Sequence, residues 1–212
     1  MPTRSTAIAS VQHTILPVTA LPALTEPLTD GVVTLRRFTL DDVETVTRAC
    51  QDPEIPRWTA GIPVPYEAHH AQVWIALHDH FWDHGGLATF AFCDARSGDL
   101  LGSMTLAEVD FTARSAAAGY WAAPWARSRG ATTRALMLAC RWGFDVLGLK
   151  VVNLMTLPGN IASERVAQKA GFVLLGMVQD YKPPRALDPE SRHEVKKWVL
   201  GGSGCDEDAR AT

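Results

Sequence analysis

The stretch WARSRGATTRALMLACRW, residues 125–142, places Arg127 and Arg129 around Gly130 and then runs into a largely apolar helix. A glycine turn between a strand and a helix N-terminus exposes backbone N–H groups that the helix cannot satisfy internally. Such a concavity favours an anion, most naturally a phosphate. Gly130 permits positive φ and close approach, the two arginines add charge, and Thr132 and Thr133 add hydroxyl donors in the first helical turn. The pattern lacks the GxxxxGK(S/T) of a P-loop and the GxGxxG of a dinucleotide fold, which disfavours those phosphate binders. An ordinary strand-to-helix connection with solvated arginines has the same composition, so the loop alone leaves both readings open.

A second cluster lies in PGNIASERVAQKAGF, residues 158–172, where Asn160 can cap a short helix and Ser163 falls in its first turn. Histidines 69, 70, 78, 80 and 84 crowd one segment. His80 and His84 share an i, i+4 face, but no HExxH pattern accompanies them, so they read as surface residues and no metal is expected. Cys50, Cys93, Cys140 and Cys205 lie far apart without a CxxC pair, which reads as reduced cytoplasmic thiols.

The elements that must position these residues follow from periodicity. Residues 31–38 (GVVTLRRF) read as a strand and 40–51 as a helix with aspartates at its N-terminus. A second helix fits 66–84, with Ala68, Ala71, Val73, Trp74, Leu77, Phe81 and Trp82 largely on one side and Gly85-Gly86 ending it. Residues 87–94 and 100–109 around ARSGD form a hairpin, and 115–124 is a further strand stopped by Pro124. A mostly buried helix from Thr132 to Leu147 follows, then a strand at 150–157, the helix from Asn160 to Gly171, and strands at 172–178 and 193–200. The expected class is α/β, with helices on both faces of the sheet.

The 212-residue chain, with 47% apolar residues, can bury one substantial core. A net charge of −3 gives it no general affinity for nucleic acid or anionic membrane, and no span approaches a membrane helix. The Thr-, Pro- and Ala-rich residues 1–30 read as an N-terminal extension that drapes on the domain or a partner chain or stays mobile, 31–200 as one domain, and 201–212 as a disordered tail.

Taken together, the chain resembles the GCN5-related N-acetyltransferase superfamily, in its branch of ribosomal-protein N-terminal acetyltransferases (RimJ/RimL-like). The resemblance covers about residues 31–200 and rests on VTLRRFTLDDVETV, the AFCDARSGDLLGSMTL hairpin, the GYW strand, the Arg127-x-x-Gly130 loop and PGNIASERVAQKAGF. The family loop is Q/R-x-x-G-x-G/A; here Thr132 replaces the final small residue.

The resemblance implies that this fold is a mixed, mostly antiparallel sheet and that acetyl-CoA is the co-substrate. It implies that the main chain of Trp121, Ala122 and Ala123 pairs with the pantetheine arm. Arg127 heads the loop, and Arg129, Gly130, Ala131, Thr132, Thr133 and Arg134 wrap the pyrophosphate. Asn160 and Ser163 lie beside the thioester sulfur. Other branches use a Tyr to protonate the leaving thiolate; Ala167 stands there, so Ser163 or a water it holds inherits that role. Trp58, Tyr66 and Tyr120 are the implied acceptor contacts, with Trp74 and Trp82 as further aromatics of the same helices.

The chemistry implied is direct attack of a neutral amine on the thioester, aided by proximity, a general base and the amide near Ala122. Some relatives carry a Glu where this chain has Ala117, which leaves Glu108 and Asp110 as the nearest carboxylates, though both also suit a solvated strand end. An α-amine of pKa ~8 is about 10% neutral at pH 7 and a lysine below about 0.1%. Weak base assistance therefore suits the N-terminus of a protein or peptide, and the branch points the same way. Acetylation of a small amine (an antibiotic, polyamine or amino acid) and a non-catalytic acyl-CoA-binding domain are the alternatives. A monomer and a homodimer are equally compatible with the sequence.

Overall fold

The computed structural model describes residues 20–181 and 193–202. Its elements are β1 (Leu28–Thr29), β2 (Val33–Arg36), α1 (Val43–Cys50), α2 (Glu54–Trp58), α3 (Ala68–His84), β3 (Leu87–Asp94), β4 (Leu100–Asp110), β5 (Ser115–Ala122), α4 (Ala131–Asp145), β6 (Val151–Thr156), α5 (Ile161–Lys169), β7 (Val173–Tyr181) and β8 (His193–Gly201). The strands form one eight-stranded sheet in the order β1-β2-β3-β4-β5-β6-β8-β7. Every neighbouring pair is antiparallel except β5–β6.

The hairpin forms where Asp94 can close the turn: its Oδ1 accepts the Arg96 and Ser97 amides at 2.9 and 3.2 Å. The entry to α1 is held by a side-chain fork, with Arg36 donating to both Asp42 oxygens at 2.7 Å while the Thr39 amide donates to Asp42 Oδ2 at 2.9 Å. In the core, Trp142 of α4 meets Phe90 edge-on at 5.3 Å, and Phe90 meets Trp82 of α3 at 5.1 Å. The alanine-rich face of α4, with Ala135, Leu136, Ala139 and Cys140 essentially inaccessible, lets this helix lie close on the sheet.

Several features differ from the expectation. The described part of the extension belongs to the fold: Leu28 pairs with Leu35 across β1–β2, Leu21 is buried, and the Trp82 indole donates to the Pro22 carbonyl at 3.1 Å. The short helix α2 falls in a segment too brief and too interrupted by Pro53 and Pro56 to show a period. On α3, Ala71, Ile75 and Trp82 face the core, whereas Val73, Leu77 and Phe81 are 57%, 47% and 43% exposed. At 100° per residue these two sets lie roughly 140° apart, so the helix carries two apolar stripes and not one. The strand β8 extends to Gly201, the first residue of the tail expected at 201–212, and residues 203–212 of that tail lie outside the described residues.

The feature that shapes the site is where β5 and β6 part. Their register runs from Ser115↔Val151 to Ala118↔Leu154 and stops. Beyond it β5 stays on β4 through Ala122↔Gly102, while β6 stays on β8 through Thr156↔Lys196. The sheet therefore opens into a cleft beside Gly119–Ala122.

Candidate active site

Pro124 ends β5, and a single 3-10 turn, Pro124–Ala126, leads to the glycine loop. The Trp125 indole fixes that turn by donating to the Leu100 carbonyl at 2.9 Å. Ser128 and Gly130 take positive φ of 63° and 74° on either side of Arg129, and Gly130 is the N-cap of α4. No cap side chain accepts the first-turn amides of α4, and a Cβ at Gly130 would meet nothing within 4 Å. The first-turn amides of Ala131, Thr132 and Thr133 thus have no side-chain cap at the positive end of a 15-residue helix. Buried Ala131 anchors the loop, and Thr132 and Thr133 are half-buried beside it.

Not all the expected charge is free. Arg127 donates to Asp52 Oδ1 at 2.6 Å and Oδ2 at 3.4 Å, and Arg134 donates to Asp30 Oδ2 at 2.7 Å. The Arg127 fork holds the Asp52 carboxyl below its usual range. Arg134 is tied to the β1–β2 turn, whose Asp30 also accepts the Val32 and Val33 amides. Arg129 lines a cavity of about 340 Å³ with Arg48 and Trp125, where the Arg48 guanidinium lies 4.4 Å from the Trp125 ring.

In the cleft, the Ala123 amide donates to the Leu101 carbonyl at 2.9 Å. The two-residue alternation of an antiparallel pair then turns the Trp121 groups to β4 as well, and leaves those of Tyr120 and Ala122 facing the opening. The cleft-facing backbone groups here are thus those of Tyr120 and Ala122, while the backbone of Trp121 and Ala123 pairs with β4 and the Trp121 ring is buried.

Across the cleft, the Tyr120 hydroxyl meets Ser163 Oγ at 2.9 Å and the Ser163 carbonyl at 3.3 Å. Burial pushes the Tyr120 phenol up to about 12 although the Ser163 contact opposes it. The Asn160 side chain caps α5 by accepting the Ser163 amide at 3.1 Å, so its Oδ1 is occupied and its amide nitrogen is the group left to donate. The Trp58 ring lies 4.0 Å from the Cβ position of Gly159, bringing α2 over the turn that precedes Asn160. Its indole N–H donates to Glu54 at 3.0 Å.

Two expected residues lie elsewhere. Glu108 is at a bulge with φ 52°, beyond the Ala107↔Ala117 pair. It is four residues from Met104, the partner of Tyr120, or roughly 13 Å along the strand. Asp110 is farther still and caps its own turn through the Thr112 and Ala113 amides, both at 2.8 Å. Tyr66 is 4% exposed and packs in the core with its hydroxyl on Cys50, so it cannot line an acceptor groove; Trp82 is likewise buried, and Trp74 packs edge-on against Phe38 at 4.9 Å. The free thiols of Cys50, Cys93 and Cys140 are buried, and burial raises each of them to about 11 or 12. Among the described residues, no three potential ligands converge as a metal site, and no helix is long and apolar enough to cross a membrane. Asp30, Asp52 and the Tyr120–Ser163 contact escaped sequence reasoning, since each joins residues at least 43 positions apart.

A sheet that opens at its one parallel pair, with an uncapped helix N-terminus at the mouth, forms in this α/β fold a cleft suited to an anionic ligand. Residues 33–173 match the model of the acetyltransferase (GNAT) domain, and the chain belongs to that family. It is an acetyl-CoA-dependent N-acetyltransferase. Among solved structures it is similar to Mycobacterium smegmatis RimJ in complex with CoA-disulfide, at 21% identity over 86% of this chain and 88% of that one, with a TM-score of 0.71. It is also similar to RimL, a ribosomal L7/L12 α-N-protein acetyltransferase in complex with coenzyme A, at 13% identity over 83% and 98%, with a TM-score of 0.72. The third is spermidine N-acetyltransferase from Vibrio cholerae in complex with CoA and spermine, at 20% identity over 81% and 96%, with a TM-score of 0.65. No curated protein sequence matches the chain.

Proposed function

We propose that the acceptor is the free α-amine at the N-terminus of a protein or peptide. The observation that carries this reading is the position of Glu108 and Asp110 at the far end of β4, away from the cleft where Tyr120 meets Ser163. An acceptor that is already partly neutral near pH 7 needs the least help from a base, and an α-amine meets that condition far better than a lysine. The RimJ and RimL likeness supports the same choice.

The residues present fit acetyl-CoA. The open first-turn amides of α4 suit a pyrophosphate, with Arg127, Arg129 and Arg134 close by, and the cleft-facing groups of Tyr120 and Ala122 suit an amide-bearing arm. When bound, acetyl-CoA supplies the acetyl group as a thioester. The Ala122 amide is oriented to stabilise negative charge on a carbonyl oxygen in the cleft. Tyr120 stays protonated and shares a hydrogen bond with Ser163 Oγ in which either hydroxyl can donate, and this bond orients the Ser163 hydroxyl proton toward where the thiolate leaves. Asn160 fixes the first turn of α5, and with it the backbone that carries Ser163. Trp58, over the Gly159 turn, is the aromatic wall for the acceptor chain.

The test is incubation of the full chain with acetyl-CoA and three acceptors: a peptide with a free N-terminus, the same peptide N-terminally blocked but containing lysine, and spermidine. Mass gain of one acetyl group on the first alone supports the reading. Preferential acetylation of spermidine or of lysine would replace it.

A further inference from the structure

The geometry points to Asp52 as a positioning residue for the acceptor half of the site, acting through Trp58. This inference rests on the reading of Trp58 as the acceptor wall. Asp52 sits where α1 gives way to α2, and its backbone and side chain are both engaged there. Its amide donates to the Ala49 carbonyl at 3.1 Å, and its own carbonyl accepts the Ile55 amide at 3.1 Å. Its side-chain Oδ1 accepts the Glu54 amide at 3.1 Å, in the first turn of α2, and the Arg127 guanidinium at 2.6 Å. The carboxylate that caps α2 is therefore the one that Arg127 holds from the glycine loop.

The helix α2 depends on such a hold. It has five residues, of which Ile55 alone is buried. A helix this short does not form by propensity, and a single apolar anchor leaves its rotation open. The Asp52 cap fixes that rotation from the N-terminal end. Trp58 lies at the other end, roughly 6 Å farther along. Its indole donates to Glu54 Oε2 at 3.0 Å. Arg57, bonded to Glu54 Oε1 at 3.1 Å, places its guanidinium 4.7 Å from the Trp58 ring. Glu54, whose amide Asp52 caps, is thus the residue whose carboxylate holds Trp58. The ring then reaches to 4.0 Å from the Cβ position of Gly159, over the turn that precedes Asn160. A contiguous set of bonds runs from Asp52 to the aromatic wall, so the placement of one carboxylate sets the placement of the ring.

Two variants of the full chain separate this role from a merely structural one. Asp52→Ala removes the cap, whereas Asp52→Asn keeps an oxygen on the Glu54 amide. The first readout needs no turnover: the Trp58 indole N–H signal in nitrogen-15 NMR, identified by its loss in Trp58→Phe. That signal should shift in Asp52→Ala and stay close to its parent position in Asp52→Asn. An unmoved signal in Asp52→Ala, or an equal shift in both variants, would overturn the proposal. With the free N-terminal peptide as acceptor, Asp52→Ala should raise the acceptor KM by about fivefold, the factor that loss of one capping bond carries. Asp52→Asn should restore that KM, and kcat should change little. In a Trp58→Ala background, Asp52→Ala should add nothing further. Additive effects, or a loss confined to kcat or to acetyl-CoA affinity, would sink the assignment. Absence of transfer to the peptide would overturn the α-amine reading, and the indole signal would still decide the role of Asp52.

Discussion

The Tyr120 hydroxyl and Ser163 Oγ lie 2.9 Å apart, joining the open end of β5 to the first turn of α5 across the mouth of the cleft. A phenol this buried keeps its proton throughout the working range, so it serves to orient the serine and not to titrate.

Ser163→Ala should therefore lower kcat by about 100-fold, the lower range for loss of a positioned proton donor, with the KM for acetyl-CoA little changed. Tyr120→Phe should lower kcat by roughly tenfold and also spare that KM. Steady-state kinetics check both. In the unsubstituted enzyme, kcat should show no loss attributable to Tyr120 ionisation up to about pH 10, because burial holds that phenol near 12.

Gly130 separates two costs. Gly130→Ala meets no clash but places a Cβ on a backbone with φ 74°, a strain of about 1 kcal/mol. Gly130→Asp adds a carboxylate at the helix N-cap, where a phosphate would bind, and should weaken acetyl-CoA by roughly 100-fold, about 2.7 kcal/mol. Calorimetric titration with acetyl-CoA distinguishes them; equal affinities for Gly130→Asp and the parent chain would remove the loop from the cofactor site.

The carboxylates that hold Arg127 and Arg134 compete with any phosphate for the same guanidinium groups. Replacing Asp30 and Asp52 together by Asn should tighten acetyl-CoA binding by up to about fivefold and steepen its salt dependence, with little change in stability because exposed pairs contribute ~0–1 kcal/mol. Weaker binding would show that the two pairs position the loop and do not compete with the ligand.

Trp58 and Tyr66 should part company on substitution. Trp58→Ala is expected to raise the KM for the amine acceptor several-fold without changing that for acetyl-CoA. Tyr66→Phe removes a buried contact with Cys50 and should reduce unfolding stability by about 1 kcal/mol with kcat/KM unchanged. Acceptor kinetics and urea unfolding of both variants check this contrast.

Acid stability follows from the Arg36–Asp42 fork. Burial raises the Asp42 carboxyl, but the two bonds from Arg36 and the Thr39 amide outweigh it, and the net shift is downward. A group depressed in the folded state contributes stability above its unfolded pKa, near 4, and loses it as pH falls through the lower folded value. Asp42→Ala should cost about 2 kcal/mol at pH 7, the low side for a buried pair because Arg36 remains 31% exposed. That difference should shrink below pH 4, as urea unfolding across pH would show.

Local chemistry settled what lies close in sequence. The hairpin at Asp94, the positive φ of Gly130, the Asn160 cap and the buried face of α4 are each decided by neighbours a few residues away, and each was readable from residue type and spacing. Periodicity failed on α3, because a helix with two apolar stripes shows the same spacing as one with a single broad face, and only packing chose Trp82 over Phe81 for the core. Tertiary structure alone decided the insertion of β8 between β6 and β7, the pairing of Tyr120 with Ser163, the capture of Arg127 and Arg134 by Asp52 and Asp30, and the removal of Glu108 and Tyr66 from the cleft. These relationships depend on strand register and on which chain segments meet in space, and a one-residue shift in register would turn every one of the β5 groups to the opposite side.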